Sequence, residues 1–170
     1  MNFLELAKAR YSERNFCDKP VEDEKLKLIL EAGRIAPTAK NNQPQFTYVV
    51  KTEEGLKKMS EISPCVYGAP IVLIICVKKD EAWYAPHDNN YNSVEIDASI
   101  VCTHMMLQAK DLGLESCWVL LFDKKKAIEA FDIPENILPI CLLDIGYTEV
   151  GQPSPRHTDK KPLESSYKIV

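Results

Sequence analysis

The 170-residue chain is predicted to form a layered αβ domain, and three features lead there. Strand-forming apolar runs alternate with segments whose apolar residues recur at helical spacing. One of those helical segments is apolar around most of its circumference and so must be buried. A hydrophobic content of 45% at this length fits one compact domain with a sizeable core and leaves no room for a second.

The elements follow in order. Asn2 and Glu5 have capping-box spacing, and Phe3, Leu4, Leu6 and Ala7 give a helical face, so a first helix should run to about Ala9. Behind Pro20 the acidic start Glu22-Asp23-Glu24 leads into Leu26, Ile29, Leu30 and Gly33, a second helix ending near Arg34. Phe46 to Val50 reads as a strand, Glu53 to Ile62 as a short helix and Ile71 to Val77 as a buried strand. Lys78 to Ser93 is polar and reads as irregular. Val94 to Leu112 is the all-round apolar helix, stopped by Gly113, and its burial points to the core or a subunit interface. Cys117 to Leu121 reads as strand, Lys124 to Phe131 as helix and Ile140 to Ile145 as strand. The tail, Gly146 to Val170, carries Pro153, Pro155 and Pro162 and should cross a surface. If that surface is a second subunit, Ser165 to Val170 can add a strand to its sheet.

Composition removes several function classes. A net charge of -4 argues against non-specific nucleic-acid binding, which needs a basic face. The longest apolar run, Ala69 to Val77, is broken by Pro70 and too short for a bilayer, and the N-terminus lacks a signal-peptide pattern, so a cytoplasmic protein without membrane attachment is expected. Six cysteines without a CxxC pair read as buried free thiols. The three histidines are too dispersed for a zinc site. The six glycines form neither GxGxxG nor a P-loop, so a bound phosphate would need side-chain cations.

Such cations occur at both ends. Arg10 and Arg14, with Tyr11 and Ser12 between them, place two guanidinium forks and a hydroxyl behind the first helix. Alternatively, Arg10 only complements the helix dipole. Lys160 and Lys161 lie near the other end. Between them Ala36 to Pro44 is an amide-rich loop framed by prolines; Asn41 and Gln43 both donate and accept, which suits the edge of a heterocycle and equally suits a plain helix-to-strand turn.

Taken together, four signatures in order resemble the FMN-dependent nitroreductase family: Arg10-Tyr11-Ser12-Glu13-Arg14-Asn15-Phe16, Ala36 to Pro44, Gly113 to Trp118 followed by Phe122-Asp123, and Lys160 to Glu164. The resemblance implies an α+β fold with a central mixed sheet flanked by helices, in a homodimer with an exchanged C-terminal tail and two FMN sites at the interface. Arg10, Tyr11 and Ser12 would take the phosphate and ribityl end, Lys160 and Lys161 would close on the phosphate, and Arg14 would face N1 and O2 of the pyrimidine. Pro37, Thr38, Ala39, Asn41 and Gln43 would come from the other subunit. Trp118, Val119, Leu120 and Leu121 would run past N5.

The implied activity is reduction of nitroaromatic, quinone or similar electron-poor acceptors by NADH or NADPH, in two hydride transfers through N5. No catalytic residue beyond the flavin and no metal are implied. A flavin carrier or sensor without turnover, or a dehalogenase-like or flavin-fragmenting enzyme of the same fold, remains an alternative. Departures from the family pattern fall at Gln45, Leu121 and Lys160, where an aromatic residue, Gly and Arg are usual. The Lys78 to Ser93 segment, with Trp83, Tyr84 and Tyr91, is the expected cover for a flat substrate or an anchor of its loop to the core.

Overall fold

The computed structural model describes residues 1–170, apart from the side chain of Asn89. Helix α1, Phe3–Ala9, starts with the expected capping box: the Glu5 amide donates to Asn2 Oδ1 at 3.0 Å and the Asn2 amide to Glu5 Oε2 at 2.9 Å. Helix α2 spans Asp23–Arg34, strand β1 Gln45–Val50, helix α3 Glu53–Ile62 and strand β2 Ile71–Lys78. Two short strands follow, β3 at Tyr84–Ala85 and β4 at Asp88–Asn92. Helix α4, Val94–Asp111, leads to β5, Glu115–Val119, then α5, Lys124–Ala130, and β6, Ile137–Gly146.

The main sheet has the order β1-β2-β6-β5. All three ladders are antiparallel, so the mixed character expected of the sheet is confined to one isolated parallel bridge, Ser12 to Ser116, on the outer edge of β5. Alternation along β2 divides the core into two layers. Ile71, Leu73, Ile75 and Val77 face α2 and α4, where they meet Ile29, Ala98, Val101 and Met105. Val72, Ile74 and Cys76 face α3 and α5, where they meet Met59, Ile62 and Ala127. A sheet buried on both faces explains why its central strands are apolar throughout rather than alternating.

Three expectations are corrected. Strand β5 begins at Glu115, two residues earlier than expected, because β6 extends to Gly146 to pair with it, and the ladder stops at Val119, opposite Leu142, although β6 itself runs back to Ile137. Leu120 and Leu121 therefore lie beyond the ladder and are exposed. Strand β6 is longer than expected and contains Pro139, which sits where the register with β2 shifts between Ile75 and Cys76; a bulge tolerates the missing amide. The Lys78 to Ser93 segment is not irregular throughout: β3 and β4 form a separate hairpin, with the Trp83 and Tyr91 rings edge-on at 5.7 Å.

Helix α4 is buried against the sheet on one side only. Ile96 remains exposed, and a shallow groove of about 470 Å³ runs along the helix's outer face past Ile96, Ser99, Ile100, Thr103 and His104. Phe3 and Leu4 of α1 and Leu163, Ile169 and Val170 of the tail are also exposed. Among the described residues no helix is long and apolar enough to cross a membrane.

Candidate functional site

The segment after α1 is extended and lies along the outer edge of β5, with the Glu13 amide donating to the Ser116 carbonyl at 3.0 Å. Extended chain sends alternate side chains to opposite faces. Tyr11 and Glu13 turn inward and are buried, while Arg14 is exposed and Arg10 and Ser12 are half-buried. Arg10, Ser12 and Arg14 thus share the outer face. Among the described residues none of Arg10, Arg14, Lys160 or Lys161 forms an ion pair. Arg14 Nη1 donates to the Ser12 carbonyl at 3.2 Å, which folds the guanidinium back over the segment.

The inward pair belongs to a buried network. The Tyr11 hydroxyl donates to Glu13 Oε2 at 3.0 Å, and Glu13 Oε1 accepts the amides of Arg14 and Asn15, each at 2.9 Å. Burial first, then the bond to Glu13, raises the Tyr11 hydroxyl well above its ordinary pKa. The ammonium of Lys110, from the end of α4, lies 5.2 Å from the centre of the Tyr11 ring and pairs with Glu115 Oε1. Glu115 is pushed upward by burial despite that lysine. The Tyr11 ring lies in this network, so its backbone is the part of Tyr11 that faces the same side as Arg10 and Ser12.

The tail starts by passing over the same segment. A Cβ on Gly151 would fall 2.3 Å from the Tyr11 hydroxyl, so the backbone passes there only as glycine. His157 Nε2 hydrogen-bonds the Lys8 carbonyl at 2.9 Å, and its ring meets Tyr11 edge-on at 6.2 Å. Lys160 and Lys161 lie within roughly 14 Å of chain from His157, which is tied to Lys8 on the Arg10 side of the domain.

The remaining candidates divide. Of residues 118–121, Val119 at the end of β5 packs into the α3/α5 core layer and Trp118 is half-buried with its indole Nε1 unpartnered among the described residues, while Leu120 and Leu121 beyond the strand are exposed. The Leu121 carbonyl is fixed by the Ser63 hydroxyl at 2.7 Å. Pro37, Asn41 and Gln43 are exposed and Thr38 and Ala39 half-buried in a loop that enters β1. Lys40, Asn41 and Gln43 all have positive φ, 54°, 57° and 54°.

The sheet order decides how these parts relate. Ser12 lies outside β5 at the level of Ile145, whereas the loop enters β1 opposite Val77, which pairs with Leu138. With strands about 4.8 Å apart and about 3.3 Å of rise per residue, the two places are on the order of 25 to 30 Å apart at diagonal corners of the sheet. One chain does not bring Arg10, Ser12 and Arg14 together with Pro37 to Gln43.

Sequence reasoning missed two residues that position these segments, Glu13 and Asp97. The Tyr11/Glu13 alternation was a possible signal for the first. Asp97 reads only as an acid in the first turn of a helix, yet it accepts the Ala39 amide, 58 residues away, at 2.9 Å. Asp144 was missed as well: it is fully buried in β6 with neither carboxyl oxygen partnered, and burial raises it to about 8. Among the described residues no cluster of three or more His, Cys, Asp or Glu could hold a metal.

An α+β domain with an outward face of unpaired cations and a separate amide loop is therefore what the chain presents. It belongs to the Nitroreductase family, whose defining pattern matches residues 7–65 and 62–147. A nitroreductase family protein of Clostridium difficile 630 has the same fold with a TM-score of 0.92 and is 42% identical, the match covering 99% of this chain and 98% of that one. An FMN-dependent nitroreductase of Clostridium difficile R20291 is 25% identical at a TM-score of 0.80, over 98% of each chain. The FMN reductase [NAD(P)H] of Bacillus subtilis is 29% identical over 153 residues, 80% of this chain and 61% of that protein.

Proposed function

We propose that the chain is an NAD(P)H-dependent FMN oxidoreductase that works as a homodimer and reduces nitroaromatic, quinone or similar electron-poor acceptors. Family membership and the names of its relatives support FMN as the cofactor and NADH or NADPH as the donor. The observation that carries the residue assignment is the outward face of Arg10, Ser12 and Arg14, free of ion pairs and near the tethered lysines. Two guanidinium forks, a hydroxyl and two ammonium groups fit one terminal phosphate with a polar ribityl chain. The Glu13 network fixes that face by fixing the opposite one.

When bound, FMN supplies the two-electron redox centre between the nicotinamide and the acceptor. The chain supplies the rest. Arg10, Ser12, Lys160 and Lys161 hold the phosphate end. Arg14 brings a fixed positive charge to the pyrimidine edge, where reduction gathers negative charge, and so favours the reduced form. Leu120 and Leu121, exposed beyond β5, give an apolar wall that limits water at the reacting edge.

The diagonal separation of the two half-sites supports the dimer. A two-fold axis makes the contact reciprocal, so each copy's amide loop reaches the other copy's arginine face and two complete sites form. The exposed outer face of α4, Phe3 and Leu4 of α1 and the apolar end of the tail are the surfaces available for that contact. Exchange of the C-terminal tail is the form of this dimer implied by the family resemblance.

The test is an absorbance scan of the purified protein followed by anaerobic titration with NADH and with NADPH. A yellow protein bleached by either nicotinamide and recoloured by a nitroaromatic or quinone is expected. A yellow protein that neither nicotinamide reduces would leave the non-cycling flavin carrier as the better reading.

A further inference from the structure

The amide loop is held in its conformation both from within and from outside. Three of its residues with side chains adopt left-handed φ, which costs free energy outside glycine. Within the loop the Gln43 amide donates to Thr38 Oγ1 at 3.0 Å, and the Asn41 amide to the Thr38 carbonyl at 3.0 Å. At its centre the Ala39 amide donates outward, to Oδ1 of Asp97 at 2.9 Å. Asp97 is 1% exposed, in the first turn of α4.

The second oxygen of Asp97 faces another element. Oδ2 accepts the Ser93 hydroxyl at 2.6 Å. Ser93 in turn is bound to the base of the aromatic hairpin: its Oγ accepts the Trp83 amide at 3.2 Å, and its own amide donates to the Trp83 carbonyl at 2.9 Å. A carboxylate is the group for this position, because it has two acceptor oxygens and no donor, and both are filled from different segments. The N-terminal end of α4 favours the negative charge there.

We propose that Asp97 is a positioning residue of the flavin site that couples two parts of it, the amide loop of residues 37–43 and the hairpin of residues 83–92, through the chain Ala39 amide, Asp97 carboxylate, Ser93 hydroxyl, Trp83 amide. The inference rests on the proposed function for what the loop binds. Ordering of the loop on the flavin then orders the hairpin carrying Tyr84 and Tyr91, so that the cover over the acceptor closes only on a loaded site. The hairpin leaves a groove of about 500 Å³ against α4, lined by Tyr84, Tyr91, Glu95 and Ile96, into which it has room to settle.

Amide hydrogen exchange tests the coupling with and without FMN. In the flavin-free protein, Ala39→Pro removes only the donor: Thr38 has ψ 160°, as a residue before proline requires, and position 39 opens a 3₁₀ turn. It should speed exchange in residues 83–92 about fivefold, the worth of one hydrogen bond, and should do so far less when Ser93→Ala has already cut the chain. In the loaded protein, FMN should slow exchange in both the loop and the hairpin of the wild type, but in the loop alone in Ser93→Ala. Asp97→Asn, which keeps an oxygen for Ala39 but turns a donor toward Ser93, should weaken FMN binding about fivefold by fluorescence titration. Hairpin exchange indifferent to Ala39→Pro, or slowed by FMN equally in Ser93→Ala, overturns the coupling. A wild type that takes up no FMN overturns the proposed function instead, while the flavin-free arm still decides the coupling.

Discussion

The hydroxyl of Tyr11 donates to the carboxylate of Glu13 inside the protein, and this one bond fixes which way Arg10, Ser12 and Arg14 face. In an extended segment the parity of the buried residues sets the parity of the exposed ones. Glu13→Ala would leave the Tyr11 hydroxyl unpaired in a buried place and free two amides. The expected loss is about 2 to 3 kcal/mol of stability in urea unfolding, and Glu13→Gln should recover part of it. Flavin affinity should fall along with it. Wild-type stability in Glu13→Ala would show that the network does not anchor the segment.

Arg10 and Arg14 share that face but are assigned different work, and two variants separate them. Arg10→Ala should weaken FMN binding by about 1.5 to 3 kcal/mol, the cost of a charge-assisted hydrogen bond. Arg14→Gln should keep much of the FMN, since the phosphate contacts remain, but make it harder to reduce. A loss of about 1.4 to 2.8 kcal/mol from the reduced form corresponds to roughly 30 to 60 mV in a two-electron couple. A wild-type midpoint potential in flavin-saturated Arg14→Gln would limit Arg14 to a structural part.

The limits of what could be read from sequence are physical. Helices α1 to α5 and strands β1 and β2 follow from local spacing and caps and lie within one or two residues of expectation, while β6 starts three residues before its expected start at Ile140. The end of β5 does not follow locally, because Leu120 and Leu121 are as apolar as the strand before them, yet the ladder stops at Val119 while β6 continues to Ile137 and the Leu121 carbonyl turns to the Ser63 hydroxyl. The arginines, Ser12 and the amide loop were legible as residue types in order. Their separation to opposite corners was not, because it depends on the order β1-β2-β6-β5. Glu13, Asp97 and Asp144 resisted because a buried carboxyl contradicts the pattern by which core positions are recognised; for Asp97 one partner, Ala39, lies 58 residues away, and for Asp144 partners are absent among the described residues.

Subunit association should depend on the outer face of α4. Ile96→Asp places a charge on a side chain that is exposed in the single chain, so the monomer should fold with little penalty. Light scattering at micromolar concentration should give a dimer for the wild type and a monomer for the variant, and the monomer should lose FMN because each site lacks its amide loop. A monomeric variant that retains full flavin affinity would reject the site shared between subunits.

Asp144 should give the protein a pH dependence of opposite sign to that of a carboxylate that is ion-paired or hydrogen-bonded in the fold. It lies between Val72 and Cys117 in the sheet with no partner for either oxygen, and burial lifts it from the ordinary 3.8 to about 8. Cys117 beside it is pushed up to about 11, by burial first and by Asp144 next. Between pH 4 and 8 the folded protein therefore keeps a proton that the unfolded chain has released, and stability falls as pH rises through that window. The slope from this one group is at most about 1.4 kcal/mol per pH unit, and it vanishes above pH 8, where the carboxyl is ionised in both states. Asp144→Asn keeps the shape without the titration, so its stability should gain on the wild type steadily from pH 5 to pH 8. Urea unfolding at four pH values across that range reads the difference directly. Parallel curves for the two proteins would mean that the folded state ionises Asp144 as readily as the unfolded chain does, and that a compensating partner or water reaches it inside the sheet.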